Sequence, residues 1–262
     1  MNITAEPPYT RIAPVYDDVM RGVDYENWSD YIDEIIQEHH IDARSILELG
    51  CGTGGHALKL EELECYDILA TDRSAEMIEC ARQKASKMES AVRFEVADFL
   101  NYRLNQTFDA ALLVFDSINY VQDIEQLPLL FISTEKHLNP NGIFIFDFTT
   151  PGFSDRVAES LNEYNPRRVG NFRYRRESRW DAEQRIHTNR FIIDELHPES
   201  GQVLHTYEET HRQRIHSPEE IEKAIAASGL KVEARYSDFD FSDVTESTDR
   251  ITMVLRKCRN NR

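Results

Sequence analysis

The feature that most constrains this chain is the run Ile46-Leu47-Glu48-Leu49-Gly50-Cys51-Gly52-Thr53-Gly54-Gly55-His56, followed by Ala57-Leu58-Lys59-Leu60. An apolar stretch enters clustered glycines and leaves as helix-permissive sequence, which reads as strand, tight turn and helix. Glycines suit the turn because the backbone must bend sharply and approach a ligand with no Cβ in the way. The start of the following helix presents free N–H groups to that ligand. The element is therefore expected to be a cofactor loop. Gly50, Gly52 and Gly55 satisfy G-x-G-x-x-G, and Asp72 follows about twenty residues on, so the loop alone also fits a dinucleotide.

The apolar runs around this loop alternate with helical stretches. Strands are expected near Ser45–Leu49, Asp67–Thr71, Val92–Val96, Phe108–Phe115 and Gly142–Phe148, and helices near Thr53–Glu64, Ser74–Met88 and Asp123–His137. Such alternation predicts right-handed βαβ units and a mainly parallel sheet, with ligands bound beyond the carboxyl ends of the strands. Polar residues collect at those ends. Asp72 can accept both hydroxyls of a ribose, and Ser74 can cap the next helix. Asp98 can accept from an exocyclic amine with Phe99 flanking the ring. Asp116, Ser117, Asn119 and Tyr120 follow Phe115 and interrupt an apolar strand where the chain faces a transferred group.

Ahead of the first strand, Asp24 can cap a helix from Tyr25 that sets Trp28, Tyr31, Ile32, Ile35 and Ile36 on one face. Tyr16 and Trp28 read either as core packing or as an arm covering the cofactor. After Gly152 the helical alternation stops. Asn171–Asp181, Arg185–Leu196 and Gln202–Ile215 read as strands of a small antiparallel sheet over the cofactor mouth. On the first of these, Phe172, Tyr174, Arg176, Ser178 and Trp180 share one face, and Arg173, Arg175, Glu177 and Arg179 the other. The arginines from Arg167 to Arg179 read either as a solvated, paired face or as a site for a carboxylate or phosphate. Ser217-Pro218-Glu219-Glu220 starts a helix, and Val232–Asp238 and Arg250–Arg256 close the chain as strands.

With 262 residues the chain has room for one large α/β domain, or one domain with an insertion. No run approaches the roughly twenty apolar residues of a membrane span, and the first ten residues lack the pattern of a signal peptide. A cytoplasmic protein, monomeric or homodimeric, is expected. Cys51, Cys65, Cys80 and Cys258 show no metal-ligand spacing, so no metal is expected. The net charge of −17 argues against general attraction to nucleic acid.

The set Glu48-Leu-Gly-Cys-Gly-Thr-Gly54, Asp72, Val96-Ala-Asp98-Phe, Phe108-Asp-Ala and Leu138-Asn-Pro-Asn-Gly142 resembles the class I methyltransferases that use S-adenosylmethionine (SAM). The likeness spans roughly residues 10–150 and 216–262. It is nearest to the small-molecule branch, which includes amino-sugar and glycine N-methyltransferase-like enzymes. The resemblance implies a Rossmann-like α/β fold, a seven-stranded mainly parallel sheet with helices on both faces. It assigns 1–150 and 216–262 to that domain and 151–215 to an inserted antiparallel lid.

By the same resemblance Glu48, Gly50, Cys51, Gly52 and Thr53 lie near the methionine end of the cofactor, and Asp72 holds its ribose. Asp98 and Phe99 hold the adenine, bordered by Arg73 and Met77. Tyr16, Trp28 and Phe115 complete the cofactor set. Tyr16, Asp116 and His211 are the candidates for handling a proton, and Asn119, Tyr120, Tyr174 and Arg176 for holding the acceptor. The expected activity is methyl transfer from SAM to N or O of a small molecule, leaving S-adenosylhomocysteine (SAH). Three alternatives stay open at this point: methylation of tRNA along Arg167–Arg179, SAM or SAH binding without catalysis, and a NAD enzyme.

Overall fold

The computed structural model describes residues 3–258, so the outermost residues of the expected Rossmann-like domain lie outside it. In chain order the elements are β1 (Ile3–Glu6), α1 (Tyr16–Val19), α2 (Tyr25–His40), β2 (Ser45–Leu49), α3 (Gly55–Glu61), β3 (Asp67–Asp72), α4 (Ala75–Met88), β4 (Arg93–Val96) and β5 (Phe108–Leu113). There follow α5 (Leu127–His137), β6 (Leu138–Thr149), α6 (Pro151–Val157), β7 (Arg167–Val169), β8 (Phe172–Asp181), β9 (Ile186–Leu196), β10 (Val203–Arg214), α7 (Pro218–Ile225), β11 (Leu230–Ser237) and β12 (Arg250–Lys257).

Seven strands form one sheet in the order β11-β12-β6-β5-β2-β3-β4. The pairs joining β6, β5, β2, β3 and β4 are parallel, and β12 is antiparallel to both β6 and β11. Period-two alternation fills both faces. Ile46, Ala110, Leu112, Ile143 and Ile145 pack beneath α2, α3 and α4, while Leu47, Leu49, Leu113, Phe144 and Phe146 pack beneath α5 and α7. Each such fully buried isoleucine, leucine or phenylalanine contributes about 1.5–3 kcal/mol.

Element boundaries move where the backbone is unusual. β5 ends at Leu113 rather than Phe115 because Phe115 and Asp116 both take positive φ, at 61° and 49°. The expected turn at Leu138–Gly142 is a bulge inside β6, where Phe108 pairs Leu138 while Ala110 pairs Ile143. The helix expected from Asp123 is split, with a 3-10 turn at Ile124–Gln126 before α5. Asp24 and Ser74 cap α2 and α4, and a reciprocal Ser217–Glu220 capping box starts α7.

The second sheet runs β1-β10-β9-β8-β7. β8 to β10 are antiparallel, as the pattern predicts; the short β7, not expected from the sequence, pairs antiparallel with β8, and β1 joins β10 in parallel, so the sheet is mixed and draws one strand from outside residues 151–215. A third apolar cluster, including Ile12, Val15, Met77, Tyr174, Phe191 and Ile193, binds the arm to this sheet and to α4. No helix among the described residues is long and apolar enough to cross a membrane.

Candidate active site

A cavity of about 1010 Å³ opens at the carboxyl ends of β2, β3 and β5 and is roofed by the second sheet and the arm. It lies at the switch in strand order, where open α/β sheets take their ligands. Gly50 and Gly52 line its floor with φ of 66° and 56°. A Cβ on Gly50 would stand 3.3 Å from Ser117 Oγ, and one on Gly52 3.5 Å from the Tyr16 ring. The loop is therefore a cradle that side chains would fill.

Asp72, at the end of β3, faces the cavity and fixes the loop. Its two oxygens accept the N–H of Gly52 at 2.9 Å and of Ser74 at 2.8 Å. Burial raises its carboxyl above the usual range, with those N–H groups opposing. Each oxygen retains a lone pair for a hydroxyl. Glu48 is buried with its Oε2 3.0 Å from His56 Nδ1, and both residues line the cavity. His56 Nε2 is buried without a partner among the described residues. An orphaned buried nitrogen beside an open cradle, with a carboxylate at each strand end, fits the amino-acid and ribose parts of SAM.

Of the expected cofactor residues, Tyr16, Trp28, Glu48, Gly50, Cys51, Gly52, Asp72, Arg73, Phe99 and Phe115 line the cavity. Three do not. The Thr53 hydroxyl turns away to Asp17 at 2.6 Å, with Lys84 on both groups, so it ties the loop to the arm. Met77 is spent in the third apolar cluster. Asp98 is exposed, with Oδ1 accepting Leu100 N–H at 2.9 Å in its own turn.

The arm enters through Tyr9. Its hydroxyl meets Tyr120 Oη at 2.5 Å, and its ring packs against His211 with centroids 4.5 Å apart. Glu209, wholly buried, accepts the N–H groups of Tyr9 at 2.8 Å and Ile12 at 2.9 Å and that of Arg11, and His211 Nε2 lies 3.0 Å from it. One carboxylate thus staples the arm to the roof and orients a histidine whose Nδ1 faces Tyr120 Oη at 3.4 Å. Burial, followed by neighbouring tyrosines and carboxylates, holds Tyr16 well above the ordinary phenol value, so at neutral pH it keeps its proton and is a hydrogen-bond donor rather than a base.

At the opposite end Arg250 reaches Asp116 at 2.7 Å and also pairs with Asp147, whose Oδ2 accepts the Asp116 N–H at 2.9 Å. The guanidinium lies over Trp28, Phe153 and Phe239, 5.6 to 5.9 Å from their centroids. Burial pulls Arg250 down, and the two carboxylates outweigh it. Burial pushes Asp147 up to about 6 against the attraction of Arg250.

The roof is ordered in cross-strand rows: Arg176–Phe191–Glu209, then Ser178–Asn189–His211, then Trp180–His187–Gln213. Asp116, Tyr120, Arg176 and His211 line the cavity as expected. Asn119 and Tyr174 do not. Asn119 donates to Thr149 Oγ1 at 2.9 Å inside the core, and the Tyr174 hydroxyl donates to Asp18 at 2.8 Å. Half of the arginine stretch is neutralised in place, Arg167 by Asp18, Arg173 by Asp194 and Arg175 by Glu177, while Arg168, Arg176 and Arg179 pair with no carboxylate among the described residues.

Tyr9, Glu209, Asn189, Gln213 and Arg250 escaped the sequence reading. Strand alternation around His211 carries the signal for Glu209 and Gln213, which lie two positions to either side. Arg250 has no local signal, because its partners are about a hundred residues or more away.

A lidded cavity at the switch point of a seven-stranded α/β sheet, with a glycine cradle and a ribose-type carboxylate, defines an enzyme that binds a nucleoside cofactor. The comparisons make the class specific. Residues 46–142 match the family model described as a methyltransferase domain. The chain superimposes with a TM-score of 0.76 on a SAM-dependent methyltransferase from Clostridium acetobutylicum ATCC 824, at 26% identity over 94% of this chain and 97% of that one. It is 26% identical over 255 residues to YqeM of Bacillus subtilis (strain 168), covering 96% of this chain and 98% of YqeM. It is also 26% identical over 216 residues to dTDP-3-amino-3,4,6-trideoxy-alpha-D-glucopyranose N,N-dimethyltransferase of Streptomyces venezuelae, covering 81% and 86% of the two chains. This chain is a class I SAM-dependent methyltransferase.

Proposed function

We propose that the methyl group goes to a nitrogen or oxygen of a small polar molecule held between the strand ends and the roof. The observation that carries this reading is the lidded cavity, whose acceptor end is lined by Asp116, Arg176, His187, Asn189, His211 and Gln213. Pairing of Arg167, Arg173 and Arg175 with local carboxylates breaks the run of free cations that a phosphate track needs. The amino-sugar relative from Streptomyces venezuelae supports an amine as acceptor. Unpaired Cys51, Cys65, Cys80 and Cys258 fit a reducing compartment such as the cytoplasm.

Bound SAM supplies a methyl already activated by its sulfonium. The protein's task is to align the acceptor with it and exclude water. In this reading Asp72 holds the ribose, Phe99 and Arg73 flank the adenine, and Glu48, His56 and the Gly50–Gly52 backbone surround the methionine part. Asp116 accepts a hydrogen bond from the acceptor amine or hydroxyl and fixes its lone pair. Its left-handed backbone and its bonds from Arg250 and Gln213 hold the carboxylate in place. His211, backed by Glu209, is the group through which a proton leaves, and the Tyr16 phenol donates a bond that orients the reactants.

The test is incubation with methyl-labelled SAM and fractionated small metabolites, with total RNA in parallel. Label is expected in a small amine or hydroxyl compound, and label confined to RNA overturns the proposal. Asp116→Asn should lower turnover about 100-fold or more while SAH affinity stays within about threefold, if the carboxylate acts on the acceptor.

A further inference from the structure

We propose that the methyl acceptor carries an oxyanion group, a carboxylate or a phosphate, which is bound by Arg176, while the Asn189 amide oxygen one row away takes a hydrogen-bond donor of the same molecule. The proposal rests on the small-acceptor reading and extends it to a substrate that bears both a methyl-accepting atom and a negative charge.

Arg176 differs from Arg173 and Arg175 of its strand and from Arg190 of β9; Arg179 also pairs with no carboxylate among the described residues, but it is exposed and outside the cavity lining. Arg173 and Arg175 pair with Asp194 and Glu177, and Arg190 pairs with both Glu177 and Glu208. Arg176 forms no carboxylate pair among the described residues. Its Nε donates to the Leu161 carbonyl at 2.7 Å, and neither Nη has a hydrogen-bond acceptor. The nearby Glu163 gives its Oε1 to Arg21 at 2.7 Å, and its charge favours the Arg176 cation without a hydrogen bond to it. The guanidinium lines the cavity beside the Phe191 ring, and burial depresses it below its ordinary value.

A half-buried cation without a counter-ion costs stability. No roof side chain takes a hydrogen bond from the Nη groups among the described residues, so the fork is poised for a ligand, and its planar geometry matches a carboxylate or phosphate. One row along the same face, Asn189 Oδ1 is buried and has no partner among the described residues. A row is two residues, about 7 Å along the strand. The wall therefore offers a cationic fork and, one row away, an amide oxygen that needs a donor. A further row on, Gln213 bonds Asp116. The anion and the methyl-accepting atom are thus held at opposite ends of one surface, on the order of 10 Å apart.

The experiment is calorimetric titration of SAH-loaded protein with sodium acetate and, separately, inorganic phosphate. Arg176→Gln and Arg176→Lys are compared with Arg175→Gln, an arginine on the opposite face of the strand. Wild type is expected to bind at least one of the two anions saturably, and whichever binds identifies the group. Arg176→Gln should weaken it about tenfold or more, Arg176→Lys less, and Arg175→Gln not at all.

Equal anion affinity in wild type and Arg176→Gln overturns the proposal, as does saturable binding of neither anion. A fall in SAH affinity confined to the Arg176 variants also overturns it, because the fork would then serve the cofactor's own carboxylate. Unchanged SAH affinity doubles as the check that the variants fold. Should SAH bind to none of the proteins, the methyl-transfer reading fails instead, and the same titration of the free protein still decides the anion site.

Discussion

The floor and the roof of the cavity are built by different means. The floor is local: Gly50, Gly52 and Asp72 belong to two adjacent strand ends, and the chief bonds there are backbone N–H groups given to one carboxylate. The roof and the acceptor end are assembled from side chains far apart in sequence, with Glu209 gripping residues 9 to 12 and Arg250 joining Asp116 to Asp147. A local, backbone-built site is specified by a short motif and tolerates change elsewhere. A site built from remote side chains can be retuned one residue at a time, which suits the half that meets a variable acceptor.

The largest expected effect breaks the floor. Asp72→Ala removes the carboxylate proposed to hold the ribose and frees the Gly52 and Ser74 N–H groups together. Charge-assisted bonds of this kind are worth about 1.5–3 kcal/mol each, so SAM affinity should fall at least about 100-fold by calorimetry. Unchanged affinity would sink the cofactor assignment and, with it, the contrast between floor and roof.

Next comes the carboxylate behind Asp116. Asp147 is buried and titrates at about 6 in the folded protein, above the roughly 3.9 of an unfolded aspartate. Between those values the native state binds the extra proton, so stability falls as pH rises across the window. The full difference is about 3 kcal/mol. Urea midpoints from pH 4 to 7 should show Asp147→Asn gaining on wild type by about that amount toward neutrality. A constant gap between the two proteins at every pH would remove Asp147 as the titrating group.

These two sites also show how far the sequence could be read. The strand–glycine–helix order of residues 46–60, the carboxylate after β3 and the alternation of strands and helices are short-range patterns, and they locate the sheet, the loop and Asp72. The long roof strands β8, β9 and β10 were also legible from alternation, though the three-residue β7 was not. Their parallel partner β1 was not, because four residues carry too little pattern to name a sheet. Met77, Asn119 and Tyr174 were expected at the cavity from their positions in sequence, yet each is committed elsewhere by tertiary packing. Only the fold reveals which side of its own turn or strand such a residue serves.

A smaller effect should come from the staple. Glu209→Gln keeps one acceptor oxygen but sets an amide NH₂ against backbone N–H donors, one of them from Tyr9 or the Arg11–Ile12 pair. Leaving a buried donor unpaired costs about 1–3 kcal/mol. Limited proteolysis within residues 3–12 should accelerate about tenfold or more in Glu209→Gln, while SAH affinity changes little if the floor is independent of the arm. An equal loss of both would show that floor and roof form one unit.

The smallest expected effect concerns the outer end of the arm. Asp18 accepts two bonds from Arg167, each at 2.8 Å, and one from Tyr174 at 2.8 Å. The Arg167 bonds outweigh burial, which pushes the other way, and hold its carboxyl down at about 2. A depressed carboxylate stabilises the fold above the unfolded value near 3.9, and the contribution is lost as pH falls toward 2. Because the pair is partly exposed, Asp18→Asn should cost only about 0.5–1 kcal/mol at pH 7 and less in high salt. The cost should shrink as the pH is lowered from 4 to 2. Its disappearance in salt, set beside a salt-insensitive Glu209→Gln, would divide the arm into a buried staple that closes the roof and a solvated latch that only trims its opening.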